Sequence, residues 1–166
     1  MIFVLSVLCT SSSGCSDSGS FNLTTDRSPS ASSVSSSDEA QDLLDKSKKF
    51  REGVGVEKNL PESFRLCELA AQTGLAKAQH TLGWMYAEGI GTAKNYEKAV
   101  EWFQKSAIQG SAGSQNSLGN HYSAGWGINQ DEAEAAKWYR LAADQDYGTG
   151  QYNLGVMYQH GYGVDQ

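Results

Sequence analysis

The sequence predicts an all-α protein: an α-solenoid of helix–turn–helix repeats with a 36-residue period, preceded by a disordered amino-terminal segment. Three observations predict it. Four Gly-x-Gly pairs, Gly53/Gly55, Gly89/Gly91, Gly125/Gly127 and Gly161/Gly163, each stand 36 residues after the last. Further positions keep that step: Leu82, Leu118 and Leu154; Gly83, Gly119 and Gly155; Phe50, Tyr86, Tyr122 and Tyr158; and the polar series Asn59, Asn95 and Asp131. Self-similarity at a period of about 20 to 50 residues marks stacked supersecondary units rather than one closed core. The third observation is a change of composition near residue 37, which divides the chain into unlike parts.

The chain opens on the apolar run Ile2–Cys9, too short to cross a membrane as a helix but of the length of a signal-peptide core. It leads into Ser12-Ser13-Gly14-Cys15, which resembles a bacterial lipoprotein signal and makes Cys15 the candidate lipidation site. Two features depart from that pattern: Ser12 stands where leucine is usual, and no Lys or Arg precedes the run. Residues 1–15 are therefore expected to be a leader, with export to a bacterial periplasm or envelope and membrane contact only through a lipid on Cys15; the alternative is an ordinary cleaved signal, with Cys15 removed or left unmodified. Between Ser11 and Ser37, 13 of 27 residues are serine, too little buriable surface to offset the entropy of ordering, so 16–37 is expected to be a disordered linker.

Residues 38–166 are expected to hold the repeats: a partial unit 38–75, full units 76–111 and 112–147, and a truncated unit 148–166. The first helix of each unit is read from apolar positions at helical spacing. From Ala76 to Glu88, residues Ala78, Leu82, Met85 and Tyr86 share one face, and the pattern returns over 112–124 and 148–160. Glycine inside a helix costs about 1 kcal/mol relative to alanine, so its return at 83, 119 and 155 predicts a close crossing at which backbones approach. The first glycine of each pair suits a left-handed C-terminal cap, and the second lets the loop turn back. Asn59, Asn95 and Asp131 then suit the N-cap of a second helix, with Glu62 and Glu134 three residues on completing capping boxes and Pro61 in a first turn. These second helices are predicted over about 96–109 and 132–145. Ala99, Trp102, Phe103 and Ala107 face inward, and Gly74 and Gly110 close two of the helices. Cys67 takes the position of Phe103 and Tyr139 and is expected to be a buried small hydrophobe rather than a nucleophile.

The pattern Leu-Gly-x-x-Tyr-x-x-Gly-x-Gly, then Asn/Asp, then Ala-x-x-Trp-Phe/Tyr, resembles the Sel-1-like repeat, a relative of the tetratricopeptide repeat. Leu118-Gly119, Tyr122, Gly125, Gly127, Asp131, Ala135, Trp138-Tyr139 and Ala142-Ala143 carry it, and it covers residues from about 50 to 166. The segment 38–52 departs from it, with Lys46 and Ser47 where Leu82 and Gly83 stand, and is expected to be a degenerate capping helix. The resemblance implies a scaffold that binds proteins or peptides. The chain stops at Asp165-Gln166, where a further helix is due; a truncated reading frame or a fragment of a longer array is expected, and an edge completed end to end by another chain is the alternative.

No cofactor, metal or catalytic residue is expected. His80, His121 and His160 share no repeat register and lack the pair spacings of helical zinc motifs, and no Gly-x-Ser-x-Gly or Ser-x-x-Lys occurs. With 13 Lys and Arg against 19 Asp and Glu, the net charge of −6 disfavours nucleic acid. The short basic cluster Lys46, Lys48, Lys49 and Arg51 lies among acids and reads as a solvated face. The contact surface is expected where units differ along one side of the first helices, at i, i+4 and i+7: His80, Trp84 and Ala87; Asn116, Asn120 and Ser123; Tyr152, Val156 and Gln159. Trp84 is the expected anchor, because Asn120 and Val156 at the equivalent positions show that packing does not require an aromatic there. The alternatives are an envelope hydrolase or ligand-binding protein with its site in the groove, or an inactive truncated array.

Overall fold

The computed structural model describes residues 36–164. The leader, Cys15 and nearly all of the expected linker lie outside them. The described residues form seven helices and no strand: α1 (Ser36–Glu52), α2 (Leu60–Gln72), α3 (Ala76–Glu88), α4 (Tyr96–Ala107), α5 (Ala112–Ala124), α6 (Glu132–Ala143) and α7 (Gly148–His160). They pack as hairpins α1–α2, α3–α4 and α5–α6, followed by α7, and each hairpin stacks on the next. The first unit is thus a whole helix pair rather than a partial one, and α1 begins at Ser36, inside the segment expected to be linker.

Each first helix after α1 has the expected bounds and ends on a left-handed glycine, with φ of 71° at Gly89, 70° at Gly125 and 67° at Gly161. The second helices are shorter than expected, ending at Ala107 and Ala143. The two residues that follow belong to a tight turn: the N–H of Gly110 donates to the Ala107 carbonyl at 2.9 Å and that of Asp146 to the Ala143 carbonyl at 2.9 Å.

Asn59, Asn95 and Asp131 cap as predicted, accepting from the N–H of Glu62 (3.0 Å), Lys98 (2.8 Å) and Glu134 (2.9 Å). The capping boxes are only half made. The cap N–H groups that Glu62 and Glu134 would reach already donate to Phe50 and Tyr122 carbonyls, at 2.9 and 3.0 Å, and Asn95 does the same to Tyr86. The carboxylates turn instead to Arg65 and Lys137 one turn on, both at 2.7 Å, where a full opposite charge is available.

The recurring helix glycines make room for a ring, and at Gly83 for the facing backbone as well, since an added Cβ would lie 3.1 Å from the Ala99 carbonyl oxygen. A Cβ added at Gly83 would lie 2.8 Å from the Phe103 ring, and one at Gly119 2.5 Å from the Tyr139 ring. At Gly155 a Cβ would meet nothing within 4 Å. In the first unit Ser47 stands at this position. It is buried and exchanges two hydrogen bonds with Ser63 of α2, donating from Oγ to the Ser63 carbonyl (2.7 Å) and accepting at its own carbonyl from Ser63 Oγ (2.8 Å). Cys67 is buried as predicted, and desolvation pushes its thiol pKa up to about 12, so it is not a thiolate near neutral pH.

Units are joined by two periodic devices. The second glycine of a pair sits on the start of the preceding unit's second helix: a Cβ would lie 2.1 Å from the Leu60 carbonyl oxygen at Gly91 and 2.3 Å from the Tyr96 carbonyl carbon at Gly127. Glutamines make the other joint. Gln109 Nε2 donates to Gln79 Oε1 and Gln145 Nε2 to Gln115 Oε1, both at 2.7 Å, while Gln79 and Gln115 donate on to the carbonyls of Ala71 and Ala107. Gln79 and Gln115 are buried, and these bonds satisfy the amides that burial would otherwise leave unpaired.

Candidate protein-binding surface

The first helices α3, α5 and α7 lie side by side, tied by polar contacts between their faces. The His80 imidazole meets Ser114 Oγ at 2.9 Å, and Asn153 Nδ2 donates to Asn116 Oδ1 at 3.0 Å and to Asn120 Oδ1 at 3.3 Å. The His80 bond has a direction. Ser106 Oγ donates to the Ala76 carbonyl (2.8 Å) and Ser114 Oγ donates to Ser106 Oγ (2.7 Å), so Ser114 accepts from His80, whose proton sits on Nδ1. Burial lowers the pKa of His80, which favours this neutral ring.

Of the nine predicted contact residues, Trp84, Asn120, Tyr152 and Gln159 are exposed, and His80, Ser123 and Val156 are half-buried. Ala87 and Asn116 are buried, at 8% and 7% exposure, so they floor the surface instead of presenting to it. Spacing alone selected them; Ala87 belongs to the hydrophobic core and Asn116 is met by Asn153 of α7.

A cleft of about 200 Å³ opens between α3 and α5, lined by Trp84, Ala87, Glu88, Tyr96, Asn120 and Trp126, with Phe103, Ser117 and His121 deeper or alongside. It gathers three of the predicted residues, Trp84, Ala87 and Asn120, and leaves Tyr152, Val156 and Gln159 on α7 outside it. Trp84 is 39% exposed, and the Arg51 guanidinium of α1 stands 5.3 Å from its ring centroid. Asn120 is held from beneath: Tyr139 donates its hydroxyl to Asn120 Oδ1 at 2.7 Å. Burial pushes the Tyr139 pKa up to about 12, so the hydroxyl stays a donor at neutral pH.

Trp126, missed by the sequence reading, is the more exposed tryptophan, at 48%. It is the middle residue of a Gly-x-Gly pair, and a signal was present: that position is Val54, Ile90, Trp126 and Tyr162, apolar in every unit although it lies in a loop. Its ring stacks on Tyr96 at 5.6 Å and 13°. His121 fixes the loop. Its Nδ1 lies 2.7 Å from the Trp126 carbonyl, which can only accept, so Nδ1 carries the proton and Nε2 the lone pair. Burial lowers the pKa of His121, opposed by that bond to the Trp126 carbonyl. His121 occupies the position of Met85 and Met157 in the adjoining units.

Among the described residues no group of three His, Cys, Asp or Glu side chains is placed to hold a metal ion, and no helix is long and apolar enough to cross a membrane. His160 stands apart from the other histidines, stacked on Tyr162 at 5.3 Å.

Stacked helix pairs with a side-chain cleft between successive first helices define an α-solenoid of repeats. The chain belongs to the Sel1 repeat family, whose profile matches residues 50–75, 76–111, 112–147 and 149–166. The match begins at Phe50, after Lys46 and Ser47, which stand in α1 where Leu82 and Gly83 stand in the next unit. Sel1 repeats are generally protein–protein interaction scaffolds and typically non-enzymatic. The chain is similar to a protective antigen of uropathogenic Escherichia coli strains that displays an SLR fold, with 38% identity and a TM-score of 0.75 over 76% of this chain and 27% of that one. It is similar also to a Sel1 repeat protein from Oxalobacter formigenes, with 33% identity and a TM-score of 0.72 over 76% of this chain and 52% of that one. Helicobacter pylori cysteine rich protein B, at 18% identity and a TM-score of 0.52 over 68% of this chain and 92% of that one, shares the fold. The chain thus spans about a quarter and about half the length of the first two. Comparison with curated protein sequences gives no match.

Proposed function

We propose that this chain is a non-enzymatic scaffold that binds a protein or peptide in the α3–α5 cleft, with Trp84 and Trp126 as anchors. One observation carries the reading: two tryptophans, 39% and 48% exposed, line a single cleft beside the held amide of Asn120. Exposed large aromatics framed by fixed polar groups are the residues on which interfaces concentrate their binding energy. Sequence variation supports it too. Equivalents of Trp84 are Asn120 and Val156, and equivalents of Trp126 are Ile90 and Tyr162, so the repeat requires neither tryptophan for packing.

Peptides selected from a displayed library against the purified protein should compete for one site. Trp84→Ala and Trp126→Ala should each weaken their binding about tenfold or more while helicity is unchanged. Undiminished binding by both variants would remove the cleft from the reading. Tyr152, Val156 and Gln159 extend the proposed surface along α7, and substitutions there should weaken only longer peptides.

Export to a bacterial envelope, with Cys15 as the lipid attachment point, completes the proposal. It is supported by the apolar run 2–9 and by the Gly14-Cys15 junction. The intact mass of the protein recovered from the membrane fraction of a native producer tests it: a lipid-modified amino terminus at Cys15 is expected, and an unprocessed soluble product would refute it.

A further inference from the structure

We infer that the α3–α5 cleft selects an arginine side chain of the partner, seated among the Trp84, Tyr96 and Trp126 rings with the Glu88 carboxylate as its counter-ion. The inference rests on the proposed scaffold role and names the chemistry of its partner. Glu88 ends α3 and lines the cleft, and among the described residues its carboxylate has no hydrogen bond or ion pair. Glu57, Glu68, Glu97 and Glu101 also lack an ion pair among the described residues, but Glu88 is the carboxylate that lines this cleft beside aromatic rings. An unmatched anion beside three aromatic rings is complementary to a planar cation that both stacks and donates.

The remaining groups of the cleft agree. Asn120 Oδ1 already accepts from Tyr139 and Asn153, which leaves its NH₂ to a carbonyl of the partner's backbone. Ser117 Oγ donates to the Gly113 carbonyl at 2.9 Å, so toward an occupant it acts as an acceptor. The rings also attract cations of this chain. Arg51 stands 5.3 Å from the Trp84 centroid and is paired with Glu52 at 3.0 Å; Lys94 Nζ stands 5.4 Å from the Tyr96 centroid. Neither lines the cleft. Lys94 has no carboxylate partner among the described residues and is an unpaired cation beside the Tyr96 ring, so its neutralisation should tighten binding.

The probe is the peptide acetyl-Gly-Arg-Gly-amide, with citrulline and lysine versions and choline as controls. Each is titrated into the protein while the indole N–H resonances of Trp84 and Trp126 are followed. The arginine peptide should shift both resonances and bind at least about fivefold tighter than the citrulline peptide; Glu88→Gln should remove that margin and Lys94→Gln should widen it. Equal binding of citrulline, an unaltered margin in Glu88→Gln, or choline binding as tightly as the arginine peptide would each overturn the inference. The library selection separates this from the parent reading. Selected peptides that need Trp84 and Trp126 but carry no arginine and ignore Glu88→Gln would leave the scaffold standing and refute arginine. Peptides indifferent to both tryptophans would refute the two together.

Discussion

The first helix pair and the two that follow fill the same slot with different residues. In α3–α4 and α5–α6 a glycine on the first helix faces an aromatic ring on the second, Gly83 against Phe103 and Gly119 against Tyr139. In α1–α2 both partners change: Ser47 replaces the glycine and Cys67 replaces the ring, and Ser63, where the other pairs have Ala99 and Ala135, closes the space with two hydrogen bonds. A ring needs the volume that a missing Cβ supplies, whereas a small thiol leaves that volume for a hydroxyl pair. The interface is therefore conserved in volume rather than in residue type, as close-packed interiors require. A second contrast concerns the loops. Gly127 sits on the Tyr96–Glu97 backbone of the unit before it, while Gly55, in the same left-handed conformation at φ 72°, has nothing within 4 Å of its missing Cβ. One glycine is demanded by a neighbour and the other only by its dihedral angle.

The loop contrast breaks with the largest effect. Gly127→Ala forces a Cβ to 2.3 Å from a backbone carbon at φ 69°, and denaturant unfolding should show a loss on the order of 4 kcal/mol or more. Gly55→Ala meets the dihedral penalty alone, about 1–2 kcal/mol. Equal losses at the two sites would show that the contact with the preceding helix carries no energy.

The packing contrast gives a smaller, reciprocal test. Cys67→Phe alone should destabilise by about 1–3 kcal/mol, since the ring enters space that Ser47 and Ser63 occupy. Adding Ser47→Gly and Ser63→Ala should recover most of that loss and convert the first pair to the architecture of the other two, with a coupling energy of about 1 kcal/mol or more. Additive substitutions would mean that the serine pair and the glycine–ring pair are not alternatives.

The smallest effect is with pH, and it should be confined to the middle of the array. His80 and His121 are both held neutral by burial, whereas Leu44 and Lys49 stand at their positions in the first unit. The folded-state pKa of each is below the ordinary 6.5, so stability is complete above that value and declines as pH falls through it, because the unfolded chain takes up protons first. Tm should drop between about pH 7 and pH 5, with hydrogen exchange accelerating in α3 and α5 before α1 and α2. His121→Met, which imitates Met85 and Met157, should flatten part of that dependence.

Much of the candidate surface was legible, and what was missed has a common cause. Trp84 and Asn120 were found by helical spacing and line the cleft, since on one helix spacing fixes direction. Ala87 and Asn116 came from the same rule but are buried, because what covers a helix face is another helix and no local pattern records it. Trp126 and His121 were passed over as a loop residue and a lone histidine; only the fold puts the loop of one unit against α4 of the unit before. Gln79, Gln115, Gln109 and Gln145 also recur at the period, yet their pairing across 30 residues appears only when a hairpin closes, and the bonds of Gln79 and Gln115 to Ala71 and Ala107 only when hairpins stack.

By itself the sequence determined the all-α class, the 36-residue unit, the limits of the first helices and the caps that start the second ones. These depend on steric and hydrogen-bonding preferences acting within one or two turns, and each unit restates them. The tertiary structure decided that the first unit is a complete pair, that the helix glycines make room for rings, and that two tryptophans from different units share one cleft with an unmatched carboxylate. The first two are settled between the helices of one hairpin and the last by how far one hairpin is offset from the next, distances set by side-chain volumes on two elements at once and written in neither alone.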